Sequence, residues 1–83
     1  MKTKLIKVTK TDIRRGTRFS ACYCPVALAL YRAFDKPQYC IAGLGSIAVN
    51  HIEWITPVQV MKFMDAFDSG NPVEPFSFEL PML

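Results

Sequence analysis

The sequence has few of the residues on which most active sites depend. It contains one histidine and three cysteines in 83 residues, and only 20% of its residues are charged. No segment approaches the roughly 20 consecutive apolar residues of a membrane span. The basic N-terminus also lacks the apolar centre of a signal peptide, because Lys7 and Lys10 interrupt it. These absences predict a cytoplasmic protein without a membrane anchor or an evident catalytic centre.

Apolar residues are plentiful for a chain of this size. They make up 51% of the sequence, whereas a domain this small buries only about 60–65% of the surface of its unfolded chain. We therefore expect residues 1–83 to form a single α+β domain that leaves some apolar surface exposed. A protein partner or a second copy, in a homodimer, would cover that surface.

Charge is distributed unevenly along the chain. Residues 1–36 carry nine lysines and arginines against two acidic residues, a net charge of +7, and residues 37–83 carry a net charge of −4. This asymmetry fits a weak nucleic-acid-binding surface, but it also fits solvated charges that interleave in the fold. No known binding motif accompanies the basic segment. The side chains that would contact nucleic acid are Lys10, Arg14, Arg15 and Arg18, with Phe19 and Tyr23 as stacking groups.

Hydrophobic periodicity predicts five strands and two main helices. The alternation of apolar residues places strands at residues 5–8, 39–43, 47–49, 52–55 and 76–80. A helical stripe begins at Pro25, after Cys24, and continues to Phe34. A second helix starts at Thr56-Pro57, with the threonine hydroxyl as its cap, and Gly70 ends it. Between the first strand and the first main helix, Thr11 or Asp12 caps a single helical turn that ends at Gly16 in the left-handed conformation.

The order of these elements, β-α-β-β-β-α-β, predicts the class of fold. Two amphipathic helices bury their stripes most simply on one face of a sheet, as in a small two-layer α+β sandwich. The short connections between strands favour a mostly antiparallel sheet. The apolar parity changes between Val49 and Ile52, and this change predicts a tight turn at Asn50-His51.

The cysteines raise the question of a metal or redox site. Cys22, Cys24, Cys40 and His51 could supply a Cys₃His zinc site, but a C-x-C pair with two isolated ligands departs from the usual spacing. The C-x-x-C motif of thiol–disulfide enzymes is absent, and a nucleophilic cysteine would need a positioned base. We therefore predict no catalytic, cofactor-binding or metal-binding residues, and we interpret Cys24 as a buried residue that precedes a helix.

Three stretches resemble a family of small uncharacterised proteins encoded by phages and prophages. These are "CPVALALYRA", the "TP" that opens the second helix, and "FDSGNPVEPFSFEL". The family pattern is C-P-[VI]-A-x-A, L-P and F-D-x-G-x-P-V-x-P-F-x-F, and here Thr56 replaces the usual apolar residue before Pro57. The resemblance covers most of the chain from Cys24 to Leu80. It implies a phage accessory protein, of the style of inhibitors that block a host defence system (anti-CRISPR-like) or a host enzyme, and it carries over no site residues.

Together these features predict a non-enzymatic protein-binding module, with a small nucleic-acid-binding protein as the alternative. Leu28 and Tyr31 lie off the main stripe of the first helix and would face a partner or a second copy. Arg32 and Trp54 are of residue types enriched at binding hot spots. A single tryptophan in an apolar strand also fits a core position, and both interpretations of Trp54 stay open here.

Overall fold

Residues 2–82, the part of the chain that the computed structural model describes, contain five strands and three helices. The α+β class and the order of the main elements agree with the prediction, and a short helix occupies the place of the expected helical turn. In chain order the elements are β1 (Lys2–Val8), α1 (Lys10–Arg15), α2 (Pro25–Ala33), β2 (Cys40–Ala42), β3 (Ser46–Val49), β4 (Ile52–Ile55), α3 (Val58–Asp68) and β5 (Phe76–Met82).

The strands form two antiparallel sheets in place of the one that was expected. β1 pairs with β5, and β2, β3 and β4 form a three-stranded meander in chain order. A side chain bridges the two sheets, because Trp54 Nε1 of β4 donates a hydrogen bond of 2.8 Å to the carbonyl oxygen of Pro81 in β5. Pro81 has no backbone N–H with which to extend a ladder. The two sheets are therefore connected through packing and this hydrogen bond.

Helix α2 lies at the centre of the core. Its first turns are apolar on nearly every side, and β1, α1 and β2 pack against the helix. This burial stabilises the fold by about 1.5–3 kcal/mol for each large apolar side chain removed from water. The largest fully buried side chains are Ile6, Val8, Pro25, Val26, Leu30, Ile47, Val60 and Leu80.

Gly16 ends α1 as predicted, but the N-cap of α1 and the conformation of Gly16 differ from the prediction. Thr9 is the N-cap, and Asp12 at the third helical position completes a capping box, with its Oδ2 2.9 Å from the Thr9 backbone nitrogen. Gly16 has φ −67° and is not left-handed. A glycine is needed there because a Cβ at this position would lie 2.5 Å from Cδ of Pro25. Close approach to α2, and not helix termination, therefore selects this glycine.

The remaining caps and turns agree with the prediction except at Thr56. Cys24 precedes α2, and its Sγ accepts a hydrogen bond of 3.4 Å from the Ala27 backbone N–H. Asn50, with φ +54°, and Gly70, with φ +82°, occupy the predicted turn and helix end. Thr56 does not cap α3, because its buried hydroxyl donates a hydrogen bond of 2.7 Å to the carbonyl of Gly43. The Thr56 hydroxyl therefore bonds to the turn between β2 and β3, and α3 has no side-chain cap.

Candidate functional site

Four exposed aromatic side chains and one leucine lie on α2, on the segments that flank β2 and on the loop of residues 16–23. We call this surface the aromatic face, and it includes all three tyrosines of the sequence. Exposed aromatic residues concentrated on one surface are typical of protein-binding sites, because they provide a large contact area with few rotatable bonds. The aromatic face consists of Phe19, Tyr23, Tyr31, Tyr39 and Leu44, which are 81%, 65%, 45%, 51% and 53% exposed.

The tyrosines surround a depression between α2 and the segment 37–41. It has a volume of about 250 Å³, and Ala27 and Cys40 contribute to its lining. Helix α2 positions Tyr31, and the turn after that helix brings Tyr39 to the opposite side. All three tyrosines are partly exposed around the depression. The depression therefore offers an apolar recess with three hydroxyl groups near it.

A second depression lies further along the same surface. It has a volume of about 220 Å³, with Phe19 and Leu44 among its exposed lining residues. The buried side chains of Cys24 and Met64 also line it, and Asp68 contributes a carboxylate. The mainly apolar lining suits an apolar side chain of a partner.

The loop of residues 16–23 joins the two depressions and is fixed to β2. The Ala42 backbone N–H donates a hydrogen bond of 2.9 Å to the carbonyl of Ala21. Within the loop, the Thr17 N–H donates to the carbonyl of Tyr23 at 2.8 Å. The loop therefore presents its aromatic side chains from a braced backbone, which reduces the entropy that binding would cost.

Phe19 has the most unusual conformation on the aromatic face. Its φ is +58°, in the left-handed region that costs a bulky residue about 1–2 kcal/mol. The Asp68 carboxylate holds this conformation by accepting a hydrogen bond of 2.9 Å from the Phe19 backbone N–H. Little packing offsets the strain, because the Phe19 side chain is 81% exposed. Packing within the protein therefore does not account for an aromatic side chain at this strained position.

The predicted partner contacts divide between the surface and the core. Tyr31 lies on the aromatic face, and Leu28 is half-buried beside it in α2. Trp54 is only 9% exposed and packs against Phe34, with ring centroids 5.9 Å apart. It belongs to the core, as one of the two sequence interpretations proposed, and it is not accessible as a partner contact.

Arg32 is engaged within the protein. Its Nη1 and Nη2 donate hydrogen bonds of 2.8 Å and 2.9 Å to the two carboxylate oxygens of Asp12, and Nη2 also donates to the carbonyl of Lys7. Burial alone would raise the pKa of Asp12, but the hydrogen bonds from Arg32 and Thr9 outweigh it and lower that pKa below its ordinary value. Arg32 therefore attaches α2 to α1 and β1, while its side chain stays 54% exposed, and its role as a partner contact stays a prediction.

The cysteines lie near the aromatic face in different environments. Cys22 is exposed, Cys24 is buried and Cys40 is half-buried. Burial raises the pKa of the Cys24 thiol and raises the pKa of Cys40 to about 11, so both thiols are protonated at neutral pH. Within residues 2–82, no three His, Cys, Asp or Glu side chains are grouped as metal ligands. The arrangement gives neither of these two thiols the charge of a nucleophile.

The predicted nucleic-acid contacts lie in two places. Lys10, Arg14 and Arg15 are exposed on α1. Arg18 lies beyond the end of α3, where a Cβ added to Gly70 would lie 3.2 Å from the Arg18 Nη2 atom. Arg18 is adjacent in sequence to Phe19, whose backbone N–H contacts Asp68. A basic group therefore lies next to the aromatic face, while the other three belong to α1.

Sequence reasoning found only part of the aromatic face. It identified Tyr31 as a partner contact, and it identified Phe19 and Tyr23 only as stacking groups for nucleic acid. Tyr39 and Leu44 were missed because their exposure depends on how the segments before and after β2 fold. The signal that was available is the presence of aromatic residues in segments without periodicity, where no core position requires them.

Comparison with known protein families, curated proteins and solved structures identifies no relative of this chain. No family model matches the sequence, and neither the curated proteins nor the solved structures include a significant match. Within residues 2–82, no helix has both the length and the apolarity needed to cross a lipid bilayer.

Proposed function

We propose that the protein is a non-enzymatic protein-binding module that covers part of a partner's surface with its aromatic face. The observation that carries this proposal is Phe19, which is 81% exposed in a left-handed backbone conformation. Tyrosine is among the residues that dominate the binding energy of protein interfaces. Tyr23, Tyr31 and Tyr39 would supply such contacts around the first depression, while Phe19 would enter an apolar recess of the partner.

The shape of the aromatic face favours a protein partner over a small molecule. Its two depressions measure about 250 Å³ and 220 Å³. Pockets for small molecules typically measure roughly 300–1,000 Å³ and enclose most of their ligand. Neighbouring shallow depressions flanked by exposed aromatic side chains instead fit two side chains of one protein surface.

We place this module in the context of phage accessory proteins that act in the cytoplasm of a bacterial host. The motifs "CPVALALYRA" and "FDSGNPVEPFSFEL" support this context by their resemblance to phage and prophage proteins. By occupying a functional surface, a bound module of this size would inhibit a host defence protein (in the manner of an anti-CRISPR protein) or a host enzyme. Such inhibition needs no catalytic group.

The test is an affinity purification from bacterial lysate with three forms of the protein. The wild type is compared with Phe19→Ser/Tyr23→Ser and with the control Leu5→Ser. Leu5 is 49% exposed on β1, a strand that contributes no residue to the lining of either depression. We expect the wild type and Leu5→Ser to retain the same protein and the double variant to lose it.

The binding is then measured with the purified partner and each of the three forms. Replacing two central aromatic residues should weaken it by at least about 100-fold, because each hot-spot side chain contributes about 2 kcal/mol or more. Equal binding by the wild type and the double variant would contradict the proposal. Equal loss in the double variant and Leu5→Ser would also contradict it.

A further inference from the structure

A second apolar surface lies at the opposite edge of the three-stranded sheet. The aromatic face borders β2, whereas β4 is the other outer strand. Ile52 and Ile55 of β4 and Val58 at the start of α3 are 45%, 88% and 61% exposed. Ile55 is the most exposed large apolar residue among residues 2–82. None of these three side chains lines either depression of the aromatic face.

The hydrogen-bond pattern shows which backbone groups of β4 face outward. On the β2 side, the Gly43 N–H donates to the Ser46 carbonyl and the Asn50 N–H to the Tyr39 carbonyl. Since alternate residues of an antiparallel strand bond to opposite sides, β3 uses Ile47 and Val49 to bond to β4. Their partners are Trp54 and Ile52.

Glu53 and Ile55 therefore direct their backbone N–H and C=O groups away from the sheet. Neither backbone N–H donates to any loop or turn carbonyl within residues 2–82. An open edge of this kind, with an exposed isoleucine, is complementary to another β-strand.

We propose that two copies of the chain pair antiparallel through β4, about a two-fold axis at Trp54, to form one six-stranded sheet. In this register Glu53 of each copy lies opposite Ile55 of the other. Both outward-facing residues of each edge then exchange both of their backbone hydrogen bonds with the second copy. In this arrangement every outward backbone N–H and C=O group of Glu53 and Ile55 forms a hydrogen bond with the second copy.

The charge on β4 supports this register. A register centred on Glu53 would place two carboxylates directly opposite one another, which destabilises a strand pair. Centring the pair on Ile55 would bring Pro57, which has no N–H, opposite Glu53. The axis at Trp54 avoids both problems, and it places the two Glu53 side chains diagonally, about 7–8 Å apart.

The other edge of the sheet explains why pairing would stop at two copies. The outward N–H of Ala42 in β2 already donates to the carbonyl of Ala21, and the loop of residues 16–23 lies along this strand. A third copy therefore has no equivalent edge to join. Two-fold pairing closes the assembly, whereas an open edge on both sides would allow fibres.

The test is sedimentation equilibrium of the wild type, Ile55→Pro, Ile55→Thr and Glu53→Gln. Proline removes the outward N–H of Ile55 and leaves the ladder to β3 intact, so the monomer should still fold. We expect it to raise the dimer dissociation constant by at least about 100-fold, because two intermolecular hydrogen bonds and two apolar contacts are lost. Ile55→Thr keeps the N–H and should have a much smaller effect. Glu53→Gln should tighten the dimer about two-fold by removing the diagonal repulsion.

Two results would overturn the proposal directly. In the first, the wild type stays monomeric at the highest concentration at which it is soluble. In the second, the wild type dimerises and Ile55→Pro dimerises equally well. Weaker pairing of Glu53→Gln than of the wild type would also overturn the proposal, because the proposed register makes the two Glu53 carboxylates repel one another. If Ile55→Pro fails to fold, amide exchange of the wild type decides. The Glu53 and Ile55 amides must exchange more slowly as concentration rises, and exchange independent of concentration refutes the pairing.

Phe19→Ser/Tyr23→Ser should dimerise like the wild type, which separates this proposal from partner binding.

Discussion

Replacing Phe19 with glycine should stabilise the protein and at the same time weaken its binding to a partner. The left-handed conformation at φ +58° costs phenylalanine about 1–2 kcal/mol, whereas glycine adopts it freely. Glycine also increases the entropy of the unfolded chain, which offsets about 0.5–1 kcal/mol of the gain. Little burial is lost, because the side chain is 81% exposed. We therefore expect the free energy of unfolding to rise by about 0.5–1 kcal/mol, which corresponds to a rise in Tm of about 2–8 °C for a chain of this size.

Thermal and urea denaturation of the wild type, Phe19→Gly and Phe19→Ala measure this effect. Phe19→Ala removes the same ring but keeps a Cβ in the left-handed backbone, so its stability should stay close to that of the wild type. The hydrogen bond from the residue 19 N–H to Asp68 is available in all three proteins. Partner binding should fall equally in both variants, because both lack the ring. A Phe19→Gly variant that is less stable than the wild type by about 1 kcal/mol or more would refute the reasoning, since Phe19 would then be a packing residue.

Four further predictions concern stability and ligands. Arg32→Gln should lower the free energy of unfolding by about 1–2 kcal/mol in urea titrations at pH 7, a value discounted because Arg32 is half-exposed. The lowered pKa of Asp12 means that its ionised form adds stability that is lost as the pH falls below 3.8, and Arg32→Gln should show a smaller acid-induced loss. Gly16→Ala should destabilise the protein by about 1–3 kcal/mol in thermal melts, because its Cβ would overlap Pro25. Cys24→Ser should still fold, and elemental analysis of the wild type should find far less than stoichiometric zinc; loss of fold on chelation would contradict this. Binding to nucleic acid, measured by fluorescence anisotropy against salt, should be weak, independent of sequence and abolished near physiological salt.

The sequence was sufficient to predict the features that depend on local periodicity. The helical stripe from Val26 to Leu30 and the alternation of Phe76, Phe78 and Leu80 identified α2 and β5 without knowledge of their neighbours. The parity change near Asn50 located the turn between β3 and β4. Such signals are encoded within a few residues, so one chain is enough to detect them.

The features that sequence analysis missed depend on partners distant in the chain. The sequence predicts Thr56 as a helix cap, but the fold brings the Gly43 carbonyl within 2.7 Å of its hydroxyl. Gly16 ends α1 as predicted, but the close approach of Pro25, which no local pattern encodes, determines why the residue is a glycine. The exposure of Tyr39 and Leu44, two of the five residues of the aromatic face, likewise follows from tertiary packing that no periodicity encodes.

The hydrogen bond between Trp54 and Pro81 gives the protein an intrinsic optical probe. Trp54 is the only tryptophan in the sequence, and its ring lies where the two sheets meet. Its emission therefore reports the separation of the sheets: a red shift with loss of the Nε1 hydrogen bond signals water entering the junction. Since β1 and β5 have no backbone ladder to the meander, an opening of this junction that precedes the melting of either sheet would change tryptophan fluorescence before the circular dichroism of the strands.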